Sequence, residues 1–121
     1  MDIKGMKRVY VAGAYSADNV TTIFNNIRKG IRLSTQVFLA GYAPFCPWLD
    51  FHFQLMLRGR EKLTLQNYYD YSCAWLEVSD AMILVPKYEN SFGTLQEIEL
   101  ASGLKIPIFE SLRELKEMLP I

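Results

Sequence analysis

The residue that most needs a chemical explanation is Glu97, in the stretch "NSFGTLQEIELASGLKIPIF" (90–109). A helix starting near Thr94, at about 100° per residue, gathers Leu95, Ile98, Leu100, Ala101 and Leu104 into one broad arc. Glu97 projects inside that arc, whereas Gln96 and Glu99 project outside it. A carboxylate on a core-facing stripe is costly unless something pairs with it or uses it. Two readings follow. Thr94-Leu95-Gln96-Glu97 fits the T-x-x-E capping box, with the glutamate reaching back to the cap amide. Alternatively, Glu97 is a nucleophile or base in the first turn of a helix, kept ionised by the helix N-terminus and facing a ligand.

Other residues carry similar double readings. Ser91 and Gly93 make either a plain turn or an anion seat of hydroxyl, glycine and free helix-start amides. "GAYS", with Gly13 and Ser16, reads the same two ways; it is not G-x-G-x-x-G, so a dinucleotide fingerprint is not supported. Trp48, Phe51 and Phe53 form either core or a flat aromatic pocket wall. His52, the sole histidine, fits a structural or base-stacking role better than a catalytic one. No G-x-S-x-G elbow supports a serine hydrolase, and no clustered ligands support a metal site. Asp70 lies away from the inward face of its helix and reads as a solvated carboxylate. Asp80 reads as a cap on the preceding helix or turn.

The elements that must position these residues follow from the hydrophobic pattern. "RVYVAGAY" (8–15) is a buried first strand ending in a glycine turn. Residues 16–41 are mostly helical, with Gly30 as a weak point and Gly41 as the stop. "YAPFCP" (42–47) is a second strand whose prolines mark its ends or a sheet edge. Residues 48–63 lack a clean period. Residues 64–79 are helical, with Leu65, Tyr68, Tyr69, Ser72, Cys73 and Leu76 on one face. "AMILVP" (81–86) is an apolar third strand. After the helix bearing Glu97 come a short strand, "IPIF" (106–109), and a terminal helix near 111–118. Strands alternating with helices predict an α/β fold, a parallel sheet covered on both faces. Ligands of such sheets bind beyond the carboxyl ends of the strands. "GAYSAD", "WLDFHF" and "KYENSFGT" converge there.

The 121 residues suit one domain, 1–121, and half of them are hydrophobic. Thirteen basic and thirteen acidic side chains cancel, which argues against a nucleic-acid polymer as partner but not against a small nucleotide. Cys46 and Cys73, without metal-type spacing, read as reduced core thiols of a cytoplasmic protein. The start, "MDIKGMKRVYVAG", is too short and charged for a signal peptide, and no run is long enough to span a membrane.

"VYVAGAYS", "WLEVSDAMILVP" and "NSFGTLQEIELASGLKIPIF" together resemble the nucleoside 2-deoxyribosyltransferase-like family, which includes nucleoside 5'-monophosphate N-glycosidases. The resemblance covers most of the chain in order and spacing. It implies a small, doubly wound, flavodoxin-like Rossmann sandwich of three layers, with a mostly parallel sheet of four to five strands. It also implies that Glu97 is the nucleophile that attacks the anomeric carbon and expels the base, and that Tyr10 orients it. Gly13 and its loop, with Ser16, would receive the sugar or its 5' substituent. Ser91 and Gly93 resemble the S-x-G of members that accept a 5'-phosphate, while the aromatic loop 48–53, with Trp48 and His52, matches no clear base specificity. The resemblance implies no cofactor, a small nucleoside or nucleotide as partner, and a homodimer. It leaves hydrolysis, base transfer between free nucleosides, and binding without turnover all open. One departure stands out. The aspartate the family places eight residues before the one opening the third strand is Ser72 here. Asp70 is two positions away, roughly 200° round an ideal helix, and can replace it only if the helix is displaced or distorted there.

Overall fold

The computed structural model describes residues 5–121; the first four residues of the charged start lie outside them. The described chain is α/β. Its four strands, β1 (Arg8–Ala12), β2 (Ala43–Phe45), β3 (Ala81–Leu84) and β4 (Ile108–Phe109), form one parallel sheet in the order β2-β1-β3-β4. The five helices are α1 (Val20–Leu39), α2 (Phe51–Leu55), α3 (Leu65–Glu77), α4 (Phe92–Gly103) and α5 (Leu112–Met118); a 3₁₀ turn, Pro47–Asp50, precedes α2. This is a small three-layer, Rossmann-like arrangement. No described helix is long and apolar enough to cross a membrane.

Side chains alternate across β1, so its two faces feed two cores. Val9 and Val11 pack with Val37 of α1, Leu115 of α5, Ile83, Tyr42 and Trp48. Tyr10 and Ala12 pack with Leu76 of α3, Ala101 of α4, Met82 and Leu84. The chain leaves β1 towards β2 on one side and returns to β3 on the other. That reversal opens a crevice at the carboxyl end of β1.

Helix α1 runs unbroken through Gly30, with Asn19 as its cap (Thr22 N–H to Asn19 Oδ1, 2.8 Å). Gly30 is therefore not a weak point but a contact requirement. A Cβ there would lie 2.1 Å from the Trp48 indole. Trp48, 1% exposed, seats itself against the bare helix backbone and donates from Nε1 to the Ala14 carbonyl at 3.0 Å. Gly13 is set by a similar approach, since a Cβ would meet Val85 at 2.7 Å.

Helix α4 starts two residues earlier than the pattern suggested. Ser91 is its cap, accepting from the Thr94 amide at 3.3 Å and from the Thr94 hydroxyl at 2.8 Å. The Thr94–Glu97 capping box is thus absent, and Glu97 lies in the second turn. The inward stripe also differs from the predicted arc. Thr94 and Ala101 are buried and Glu97 and Ile98 partly so, while Leu95 and Leu104 are about half exposed. Asp80 caps no helix either. Its carboxylate accepts from the Arg8 amide at 2.7 Å and ties the start of β3 to β1.

Candidate functional site

Glu97 sits in the middle of the i, i+3, i+4, i+7 stripe that α4 turns to the sheet, so its carboxylate is carried inward with Ile98 and Ala101. There it accepts a hydrogen bond from the hydroxyl of Tyr10. The Tyr10 ring is fully buried and stacks on Phe45 at 5.3 Å between centroids, and Phe45 stacks in turn on Trp75 at 5.9 Å. The phenol therefore reaches the carboxylate from a fixed position. Ser72, buried on α3, adjoins the same phenol. Burial pushes the Glu97 carboxyl up from 4.5 to about 7, against the opposing pull of the Tyr10 hydrogen bond. Burial and the adjacent Glu97 charge push the Tyr10 phenol well above its ordinary value, so it stays a donor.

Above this pair lies a cavity of about 490 Å³, a size suited to a small molecule. Tyr10, Ala12, Ser72, Tyr69 and Glu97 line one part of it; Gly13, Tyr15 and Ser16 come from the loop after β1; Trp48, Asp50, Phe51 and Gln54 come from the segment after β2; and Leu63, Leu65 and Tyr68 complete the wall. Leu65 is largely exposed, so the rim is apolar and open.

A second carboxylate faces this space. Asp50 ends the 3₁₀ turn, and Tyr15 donates to its Oδ1 at 3.2 Å. Burial pushes the Asp50 carboxyl up, with the Tyr15 hydrogen bond pulling the other way. Burial and the Asp50 charge push the Tyr15 phenol to about 12.

The expected site residues are thus partly brought together. Glu97, Tyr10, Gly13, Ser16 and Trp48 meet at the cavity. Trp48 is both core and wall. Asp70 is not at the cavity: α3 is not displaced there, so the side chain points to solvent, where Gln66 donates to it at 2.7 Å. Ser72 takes the inward position instead. His52 is exposed and packs against Phe51 at 4.2 Å, outside the cavity wall. Ser91 spends its hydroxyl on capping α4, and Gly93 has open space around its Cα; neither lines the cavity. Among the described residues no group of three or more histidine, cysteine, aspartate or glutamate side chains is placed to hold a metal.

Tyr15 and Asp50 carry no site reading in the sequence, and Tyr68 and Tyr69 stand there only on the shared face of the 64–79 helix. Asp50 had a usable signal, being the carboxylate in the loop at the carboxyl end of β2. No protein-family model matches the chain, and no curated protein matches it.

Proposed function

We propose that this protein cleaves the N-glycosidic bond of a nucleotide or deoxynucleotide through a glycosyl-enzyme on Glu97, releasing the base. The observation that carries the reading is the buried Tyr10–Glu97 pair lining a cavity at the carboxyl end of β1. A carboxylate held by one donor keeps other lone pairs free to attack an anomeric carbon. The fixed phenol orients it and tempers the effect of burial. In the second step water, or another base, takes the sugar and frees the carboxylate, the two-step retaining logic. Tyr15, Phe51, Tyr68 and Tyr69 offer aromatic faces for a base.

The 5'-monophosphate preference rests on the resemblance of Ser91-Phe92-Gly93 to the S-x-G pattern, and on the uncapped amides of Phe92 and Gly93 at the start of α4. The Gly13–Ser16 loop in the cavity is the nearer partner for such a group. A homodimer is part of the proposal. Phe92 and Leu95, exposed on α4, are apolar surface that a second copy would cover. A cytoplasmic setting fits the two free cysteines.

The outward placement of Asp70 favours one other reading, a nucleotide-binding module without turnover. Incubation with a panel of nucleosides and their 5'-monophosphates separates the readings. Free base and sugar phosphate are expected. Base appearing only when a second base is supplied indicates transfer, and binding without base release indicates the module. Neither binding nor release across the panel overturns the proposal.

A further inference from the structure

An N-glycosidic bond breaks easily only if the departing base gains a proton. Asp70 faces solvent, and the Ser72 hydroxyl is too weak an acid. Glu97 and Asp50 are the two carboxylates on the cavity wall. Taking the proposed glycosidic cleavage as given, we infer that Asp50, oriented by Tyr15, is the acid that protonates the departing base.

The position of Asp50 is built rather than incidental. The loop after β1 and the segment after β2 are tied at two adjacent points, Trp48 to Ala14 at 3.0 Å and Tyr15 to Asp50 at 3.2 Å. Trp48 is anchored in the core, so the turn that ends at Asp50 cannot drift. Tyr15 takes up Oδ1, and among the described residues no donor reaches Oδ2. The groups that face Asp50 are Tyr15, Tyr68 and Cys46, none of them a cation that would hold it ionised. Its neighbours Tyr15, Phe51 and Tyr68 are aromatic, as a base requires, while Glu97 lies with Tyr10 and Ser72.

In the first step a Glu97 oxygen bonds to the anomeric carbon. The C–N bond breaks, its electron pair passes to the base nitrogen, and the Asp50 proton goes to the base. In the second step the Asp50 carboxylate takes a proton from water as its hydroxide replaces Glu97 on the sugar. Asp50 is left protonated and Glu97 ionised, as at the start. In the empty site Glu97 is the more strongly raised carboxyl. A bound base removes water from Asp50 and raises it further, while positive charge developing at the anomeric carbon lowers Glu97.

The test compares leaving groups. The starting protein, Asp50→Asn, Ser72→Ala and Glu97→Gln are each assayed on deoxyguanosine 5'-monophosphate and its N7-methyl derivative, and on deoxyuridine 5'-monophosphate and its 5-fluoro derivative. The methylated base carries positive charge before cleavage, and fluorouracil leaves more readily as an anion. Asp50→Asn is expected to slow release of the unmodified base by about 10²–10⁴-fold. Release of the matched activated base should fall by less than about tenfold, which also shows that the variant's site is intact. Equal losses on both members of a pair, or no loss on either, overturn the inference while leaving the proposed function standing. The same selectivity in Ser72→Ala but not Asp50→Asn transfers the role to Ser72 and also overturns it. Loss of both substrates in Glu97→Gln is expected. No release by the starting protein from any of the four, nor from any member of the wider nucleoside and nucleotide panel, overturns the inference and the proposed function together.

Discussion

The two faces of β1 differ in kind. On one, Val9 and Val11 meet α1 and α5 in an apolar layer, closed by the Trp48 indole lying on Gly30. On the other, Tyr10 and Ala12 meet α3 and α4, and between those helices and the strand ends a cavity remains with a carboxylate on its wall. One face spends its contacts on stability. The other leaves polar atoms where a ligand can use them. A five-residue strand thus divides its duties by alternate residues.

The comparison can be broken at either face. The largest effect is expected at Glu97. Glu97→Gln should remove base release by more than about 10⁴-fold, as loss of a nucleophile does, while circular dichroism shows an unchanged fold. Glu99→Gln, on the exposed side of α4, should change release by less than about twofold. Normal turnover in Glu97→Gln would remove the chemistry from the open face.

On the closed face, Gly30→Ala places a methyl group against an indole that cannot move, so a loss of about 3 kcal/mol in stability is expected from overpacking. Gly103→Ala is the control: nothing lies within 4 Å of its Cβ position, and stability should hold or rise by up to about 1 kcal/mol. Thermal unfolding of the pair measures both. Equal melting temperatures would mean that Trp48 is not wedged as described.

The open face should also set the pH dependence. Folding raises the Glu97 carboxyl from 4.5 to about 7. Between those values the folded protein keeps a proton that the unfolded chain has released, so stability falls as pH rises through this window. The loss should total about 3 kcal/mol and level off above the folded value. Denaturant titrations should show it in the starting protein and not in Glu97→Gln. With Asp50, the less raised carboxyl, required in its protonated form, the same group sets the upper limb of kcat/KM, and activity falls as pH rises through about 7. Tyr10→Phe removes the donor that lowers Glu97 and should move that limb to higher pH.

The smallest effect concerns the phosphate. A nucleoside 5'-monophosphate is expected to bind about tenfold more tightly than its nucleoside, or about 1.4 kcal/mol. Ser91→Asp keeps a capping side chain on α4 but should shrink or invert the difference by setting a like charge at the helix start. Calorimetry with the matched ligands on both proteins checks it, and equal affinities in the starting protein would favour a free-nucleoside substrate.

Much of this was legible in advance because it depends on local periodicity. The apolar strands, the stop at Gly41 and the inward-facing Glu97 are all written in residue spacing. The pattern misled where a tertiary contact outranked it. Gly30 looks like a helix breaker until the Trp48 indole is known to lie on it. Thr94 looks like a cap, yet it is buried under Ser91, whose own hydroxyl does the capping. The place of Asp50 in the loop after β2 is legible, but its pairing with Tyr15, thirty-five residues away, follows from no local rule. Residues 48–63 were unreadable for a related reason: a 3₁₀ turn, a five-residue helix and a loop follow one another, each too short to set a period.

The seating of Trp48 also gives the protein an optical handle. The chain has two tryptophans. One indole is sealed in the core with an edge on the cavity, whereas Trp75 is nearly half exposed. Their emission maxima should therefore separate, blue for Trp48 and red for Trp75. In a Trp75→Phe background the remaining fluorescence reports on the cavity wall alone, so an aromatic base stacking nearby registers as quenching before any bond is broken.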